Sequence, residues 1–275
     1  MANGWSTVSV VGVGLIGGSF ALALRKAGFR GKIIGVSSAA TIRVALERRV
    51  IDEALPLRDA AAQADIIYLA QPIQRILETI DQIDDCVRPG TLITDAGSTK
   101  AAIVGRARER IRRGRFVGGH PMAGKQSRGV AEADADLFYR RPYVLTSRDE
   151  ELEEWVRRIG ARVVILNAEE HDRLVALISH LPQLISTALG ESIAQADGAA
   201  KVAGPAAIEM TRLAMSPYEI WRDIFSTNAG PIDEALEKFI EKLQELRERL
   251  RTDGMGEAFD CAAAGARALR GVELL

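Results

Sequence analysis

Gly12-Val13-Gly14-Leu15-Ile16-Gly17 decides the reading of this chain. It closes an apolar segment, Val8–Gly12, that reads as a strand, and it opens an apolar-periodic segment, Leu15–Ala27, that reads as a helix. In a strand-turn-helix unit the first glycine permits the tight turn. The second lets the backbone approach a pyrophosphate, and the third lets helix and strand pack closely. The helix N-terminus then presents free N–H groups and a partial positive charge to the phosphates. A bare GxGxxG is weakly specific; the preceding strand and following helix make it strong. Gly12, Gly14, Leu15, Ile16 and Gly17 are therefore candidate cofactor-binding residues.

Outward from this turn, short apolar runs alternate with helical patterns. Candidate strands are Lys32–Val36, Asp65–Ala70, Thr91–Asp95, Arg115–Gly118, Tyr143–Thr146 and Arg162–Leu166. Between them, Thr41–Arg49, Gln74–Cys86, Lys100–Arg112 and Asp149–Ile159 read as helices. The alternation predicts a mostly parallel sheet with helices on both faces. Sites that bind the ribose of NAD usually carry an acid at the end of the second strand. Here Gly35-Val36-Ser37-Ser38 has none, and the first acid is Glu47. Ser37, Ser38 and Thr41 can hydrogen-bond a 2′-phosphate and Arg43 can neutralise it, which favours NADP while leaving NAD possible. Gln71 and Pro72, just past the strand at 65–70, complete the candidate cofactor-binding set.

The pattern changes near Asn167, and no convincing strand follows. Leu174–Ala194 is apolar around most of its circumference and reads as a buried helix, kinked by Pro182 with a carbonyl freed one turn earlier. Asp233–Arg251 is amphipathic, with Leu236, Phe239, Ile240, Leu243, Leu246 and Leu250 on one face. The chain thus reads as an α/β Rossmann-type dinucleotide-binding domain at 1–167 followed by an all-α domain at 168–275. A helical domain of that size with one wholly apolar helix predicts dimerisation, so a homodimer is expected.

With a net charge of −1, the chain has no general attraction to nucleic acid or anionic membrane. The arginines between Arg106 and Arg115 read as a solvated helix face. Cys86 and Cys261 make neither a disulfide framework nor a metal motif, and the start of the chain lacks a signal-peptide pattern, so a cytoplasmic location is expected. No metal site is expected: nine helical residues separate His171 from His180 and set them on opposite faces.

Four further segments carry polar groups suited to chemistry. Asp95-Ala96-Gly97-Ser98-Thr99-Lys100 lies at a strand end, on the carboxyl edge where such sheets bind ligands. Gly118-Gly119-His120-Pro121-Met122-Ala123-Gly124 reads as a strand end turning into a tight loop around one of only three histidines. His171-Asp172 precedes Ser179-His180-Leu181-Pro182-Gln183, and Met210-Thr211-Arg212 precedes Ser216-Pro217 and Trp221-Arg222-Asp223. His171 reads as a helix start or cap. His180 could instead bond the carbonyl freed by Pro182.

Together GVGLIGGS, DAGSTK, GGHPMAG, HDRLVALISHLP and MTRLAMSPYEIWRDIF resemble, in order, the prephenate and arogenate dehydrogenases of tyrosine biosynthesis. The resemblance implies a dinucleotide-binding domain, a helical dimerisation domain and an active site between them. It implies oxidative decarboxylation of a small cyclohexadienol with hydride transfer to NAD(P). On it, His120 matches the catalytic base, a role that suits an imidazole. Ser98 matches the serine beside the reacting hydroxyl, Arg212 the arginine that binds the substrate carboxylate, and His180 a pocket residue. Many prephenate-specific members carry a second histidine where this chain has Gln183. A neutral amide there reduces repulsion of an ammonium group, which leans toward arogenate. No appended regulatory or mutase domain is expected, so any tyrosine inhibition is expected at the active site.

The runner-up is another dehydrogenase of the same layout, of the β-hydroxyacid or imine-reducing type. Such enzymes rely on a lysine on a helix of the second domain. Lys201, Lys238 and Lys242 are the candidates, and none is placed as a base.

Overall fold

The computed structural model describes residues 4–252 and 254–273. The first half alternates β1 (Thr7–Val11), α1 (Leu15–Lys26), β2 (Lys32–Val36), α2 (Ala39–Glu47), β3 (Glu53–Ala54), α3 (Leu57–Gln63), β4 (Ile66–Leu69), α4 (Ile73–Ile83), β5 (Leu92–Asp95), α5 (Ala101–Arg110) and β6 (Arg115–Val117). These strands form one parallel sheet in the order β3-β2-β1-β4-β5-β6. The order reverses direction between β1 and β4, which opens a crevice at their carboxyl ends. The expected parallel sheet is present; the two-residue β3 and the short α3 were too brief for periodicity to reveal.

A second sheet was not expected. The chain leaves the first sheet at Val117 and enters β7 (Gly119–Pro121), which pairs antiparallel with β8 (Pro142–Leu145); β8 pairs parallel with β9 (Arg162–Ile165). The run around His120 therefore begins as a strand, not a loop. Helix α6 (Glu150–Arg158) links β8 to β9, with Asp149 accepting the Leu152 N–H at 3.0 Å as its cap.

Alternate residues of the central strands fill two apolar layers. Val8, Val10, Ile66 and Tyr68 face α1 and the second sheet, including Phe20, Tyr143 and Trp155. Ile67, Leu69 and Ile93 face α4 and α5, with Ile76, Ile80 and Ile103, and there Ala176, Ile224 and Ile232 of the second half join them. Each fully buried isoleucine contributes about 1.5–3 kcal/mol.

After Asn167, which caps α7 (Ala168–Val175) by accepting the Glu170 N–H at 2.8 Å, all regular structure among the described residues is helical. A π-helical turn at Ala176–His180 joins α7 to α8 (Leu181–Ala194). Then come α9 (Pro205–Met210), α10 (Tyr218–Thr227), α11 (Ala229–Arg249) and α12 (Met255–Glu273). The single kinked helix expected at 174–194 is thus two helices and a π-turn, with Pro182 in the first turn of α8, where its missing N–H costs nothing. Nor is that stretch buried within the chain, since Leu177 and Ile178 are each 55% exposed. Ile240, Leu243, Leu250 and Phe259 are exposed as well.

The two halves are joined through carboxylates. Asp172 of α7 accepts the Lys100 and Ala101 N–H groups at 2.7 and 2.8 Å, at the N-terminus of α5. Asp223 of α10 accepts the Gln74 N–H at 3.2 Å in the first turn of α4. Thr99 and Thr227 hydroxyls meet at 2.8 Å beside them. Among the described residues no helix is long and apolar enough to cross a membrane.

The glycine turn has unequal tolerances. A Cβ on Gly17 would lie 2.2 Å from the Gly12 carbonyl oxygen, whereas one on Gly14 meets nothing within 4 Å. Gly17→Ala is expected to cost about 1–3 kcal/mol and lower the melting temperature by roughly 5 °C. Gly14→Ala is expected to melt like the parent and to lose dinucleotide affinity, because its methyl occupies ligand space. Thermal melts with and without cofactor check both.

Candidate functional site

The Gly12–Gly17 turn is shaped for a phosphate ligand. Gly12 has φ +94°, and its Cβ would sit 2.5 Å from the Ala70 carbonyl oxygen. Gly14 is the N-cap of α1 without a side-chain cap, and the first turn holds no acid. The leading N–H groups of α1 therefore keep their positive end open to an anion, which fits a dinucleotide pyrophosphate. A cavity of about 710 Å3 is bounded by Gly14, Leu15, Ile16, Lys125, Arg128 and Arg212. A neighbouring one of about 360 Å3 is bounded by Ile16, Gln71, Pro72, Ser98, Arg128 and Asp223. Ile16 and Arg128 line both, so the two are parts of one crevice between the halves.

The structure thus joins Gly14, Leu15, Ile16, Gln71, Pro72, Ser98 and Arg212. Arg128 also belongs there, and sequence reasoning missed it. Gln71 accepts the Thr79 hydroxyl at 2.8 Å, and Pro72 caps α4. Ser37, Ser38, Thr41 and Arg43 lie apart, past the end of β2. Ser38 caps α2, its Oγ accepting the Thr41 N–H at 3.3 Å and lying 3.0 Å from the Thr41 hydroxyl. These two side chains therefore already serve the helix. Ser37, Ser38 and Arg43 are exposed, and no carboxylate pairs with Arg43 among the described residues. Another cavity, of about 730 Å3 beside Trp5, Asp65, Arg88 and Arg115, lies at the N-terminal ends of the strands. That edge is opposite the one such sheets use for ligands.

His120 is set by a buried ion pair beneath it. Lys100 Nζ donates to Asp95 and, at 2.8 Å, to the Gly119 carbonyl; both side chains are fully buried. Asp95 also accepts the Gly97 and Gly119 N–H groups, at 2.7 and 3.1 Å. The 95–100 loop that carries Ser98 is thereby fastened to the strand that carries His120. Lys100 is thus structural. Burial lowers its pKa against the opposing pull of Asp95.

The His120 ring is half-buried, and its Nδ1 lies 2.8 Å from His171 Nε2. His171 Nδ1 lies 2.7 Å from Asp172 Oδ1. His171 is therefore neither helix start nor cap; it is fully buried against His120. His180 is also buried, and the Asn228 side-chain amide donates to its Nδ1 at 3.2 Å and to the Asp172 carbonyl at 2.9 Å. His180 thus does not bond the carbonyl freed by Pro182; Asn228 takes its Nδ1, and like His120 it is not among the residues bounding the two cavities. The opposite-faces expectation for His171 and His180 fails because the π-turn between them takes more residues per turn and shifts the phase. Asn228 lies in no recognisable motif; the adjacent His171-Asp172 pair was the one visible signal for this network.

Enclosure pushes the His120 pKa well below the ordinary histidine value, and His171, Lys100 and His180 push the same way. Burial lowers the His180 pKa to about 4, opposed by Asp172 and aided by His171.

Arg212 opens a 3-10 turn at Arg212–Met215; it is exposed, and no carboxylate pairs with it among the described residues. Gln183 is buried beside that turn, its Nε2 donating to the Leu213 carbonyl at 3.0 Å. Its Oε1 is left as a buried acceptor without a partner. Lys201, Lys238 and Lys242 are all exposed.

A Rossmann sheet with an uncapped glycine turn and an unpaired guanidinium at one crevice, and an imidazole on the strand fastened to the Ser98 loop, is the layout of a nicotinamide-dinucleotide-dependent dehydrogenase. Residues 20–169 match the nucleotide-binding domain model of prephenate dehydrogenase, and residues 167–261 match its dimerisation domain model. The prephenate dehydrogenase of Lactococcus lactis subsp. cremoris is 36% identical over 87% of this chain and 70% of that protein. The Synechocystis arogenate dehydrogenase structure superposes with TM-score 0.84 at 31% identity, covering 96% of this chain and 99% of that one. The Aquifex aeolicus prephenate dehydrogenase, solved with hydroxyphenyl propionate and NAD+, gives 0.85 at 28% identity, covering 98% of both chains. The chain belongs to the prephenate dehydrogenase family.

His180 couples folding to pH. Its folded pKa lies below its unfolded value, so the unfolded chain binds the proton first as pH falls. Stability is full above pH 6.5 and declines between 6.5 and about 4, by on the order of 3 kcal/mol from this group. Urea unfolding at pH 7, 5.5 and 4.5 is expected to show the decline, and His180→Gln to make it shallower, the share owed to His120 remaining. An equal decline in the variant would refute the assignment.

Proposed function

We propose that this chain catalyses the oxidative decarboxylation of prephenate, arogenate or both, in tyrosine biosynthesis, as a homodimer divided at 167/168 into its two domains. The supporting observation is Arg212, a guanidinium without a carboxylate, across one cavity from the Gly14–Ile16 turn. It offers a bidentate partner for a substrate carboxylate beside a dinucleotide site. A second copy of the helical half would cover the exposed Leu177, Ile178, Ile240 and Leu243.

A bound nicotinamide dinucleotide supplies the hydride acceptor. Arg212 holds the substrate side-chain carboxylate and Ser98 hydrogen-bonds the 4-hydroxyl. His120 takes the hydroxyl proton as the hydride departs from C4. The carbonyl that develops draws electrons from the ring carboxylate, carbon dioxide leaves, and the ring becomes aromatic. The low His120 pKa keeps the imidazole neutral, as a base must be, throughout the neutral pH range. The absence of an acid after β2, together with exposed Ser37, Ser38 and Arg43, supports NADP as the preferred cofactor.

The test pairs prephenate or arogenate with NAD or NADP and follows the reduced nicotinamide. Turnover is expected in at least one pairing, and His120→Asn is expected to lower it by about two to four powers of ten. A folded dimer silent in all four pairings would end this reading.

Gln183 supports arogenate as the better substrate. Its Nε2 is tied to Leu213, so its free atom is an acceptor, suited to an ammonium donor. Gln183→His is expected to shift the kcat/KM ratio toward prephenate by roughly tenfold, because the lost acceptor is a charge-assisted one. An unchanged ratio would remove Gln183 from specificity.

A further inference from the structure

The contact behind His120 does more than fill space, because its donors and acceptors can be assigned. Asp172 accepts the Lys100 and Ala101 N–H groups and touches His171 Nδ1 at 2.7 Å. An ionised carboxylate has no proton to give, so His171 Nδ1 is the donor there. A neutral imidazole carries one N–H, which leaves His171 Nε2 as an acceptor. At the 2.8 Å contact the proton must then come from His120 Nδ1.

We propose that His171, held by Asp172, is a positioning residue that locks His120 in the tautomer protonated on Nδ1, leaving Nε2 as the free acceptor that faces the reaction. The proposal rests on the reading of His120 as the base. The reverse arrangement would make His171 an imidazolium that donates to His120 Nδ1, and the His120 proton would then sit on Nε2, where it blocks proton uptake. That arrangement needs a second buried cation near Lys100, whose ammonium already takes Asp95. The groups around the pair are Asp95 and Lys100 from the first half, and Asp172 and His180 from the second. His180 adds no charge, because Asn228 donates to its Nδ1 and fixes its own proton on Nε2.

The relay also supports the reaction step. When Nε2 accepts the substrate proton, the Nδ1–H of His120 points at His171 Nε2. The positive charge can therefore spread toward Asp172 without any group moving. This is the logic of a base oriented through its far nitrogen by an imidazole–carboxylate pair in place of a carboxylate alone.

The three histidines make the proposal directly readable. Two-bond 15N–1H correlation spectra of the histidine-labelled dimer report the protonated nitrogen of each ring. The expected pattern is Nδ1–H for His120, Nδ1–H for His171 and Nε2–H for His180. Nε2–H at His120 overturns the proposal, whether or not the protein turns over prephenate or arogenate. The spectrum thus stands apart from the test of the reaction: silence in every assay with the expected pattern would remove the reaction and leave the tautomer lock.

Two variants then separate positioning from packing. His171→Leu fills the space without an acceptor. It is expected to lower kcat by about tenfold to a hundredfold with KM and cofactor affinity held within about twofold. His171→Gln offers an amide oxygen to His120, and is expected to regain most of that loss. Equal kcat in all three proteins, or equal loss in both variants, would show that His171 does not act through its acceptor. Should His171→Leu fail to fold, the parent spectrum and the glutamine variant still decide.

Discussion

The structure depends on two carboxylates of the helical half filling the N-terminal ends of two helices of the nucleotide-binding half. Asp172 meets α5 and Asp223 meets α4. Each finds backbone N–H groups that have no partner within their own helix and a positive helix end, a combination worth up to about 2 kcal/mol when buried. Losing one partner of such a contact costs more than the contact contributes, since a charge is then left buried alone. The two halves are therefore held in one relative placement, and the crevice that contains Ser98, Arg128 and Arg212 has a defined width.

The parallel sheet was legible because its strands are continuous apolar runs and its helices have apolar faces. The second sheet was not, because β7 is Gly-His-Pro, three residues whose composition speaks for a turn. Extended pairing there is imposed from outside, by Gly118 donating to Thr146 and by β8 running alongside. In the helical half, Leu174–Ala194 reads as core because its apolar side is broad. In the single chain part of that side is bare, so the sequence describes an assembly larger than one copy. Family resemblance had placed Ser98 and Arg212 at the site, and both do line the crevice.

What the sequence concealed is the arrangement around His120. An α-helical wheel sets His171 and His180 on opposite faces, and that argument is sound for an unbroken helix. The five-residue π-turn defeats it, and no residue in Ala176–His180 announces such a turn. Lys100 was hidden for a different reason. A lysine at a helix start gives no sign in sequence that its ammonium turns inward, as it does here to Asp95 and the Gly119 carbonyl. Burial of that kind depends on a carboxylate five residues earlier and a carbonyl nineteen later, a triangle that only the tertiary fold closes.

On the proposed reading His120 is the base, and a strongly depressed base is at first sight a poor one, because proton affinity falls with pKa. Here the proton is not removed in isolation. The hydroxyl becomes acidic only as the hydride leaves, and loss of carbon dioxide makes the step irreversible, so the base must be neutral and oriented more than it must be strong. Lys100 serves the first need by its buried positive charge, which disfavours a standing imidazolium above it. His171 and Asp172 serve the second by holding the far nitrogen. The same carboxylate that docks α7 onto α5 thus also holds His171, and through it the His120 ring that we propose as the base. Domain placement and proton transfer are then not separable: a shift of the helical half that loosened Asp172 would release the imidazole as well.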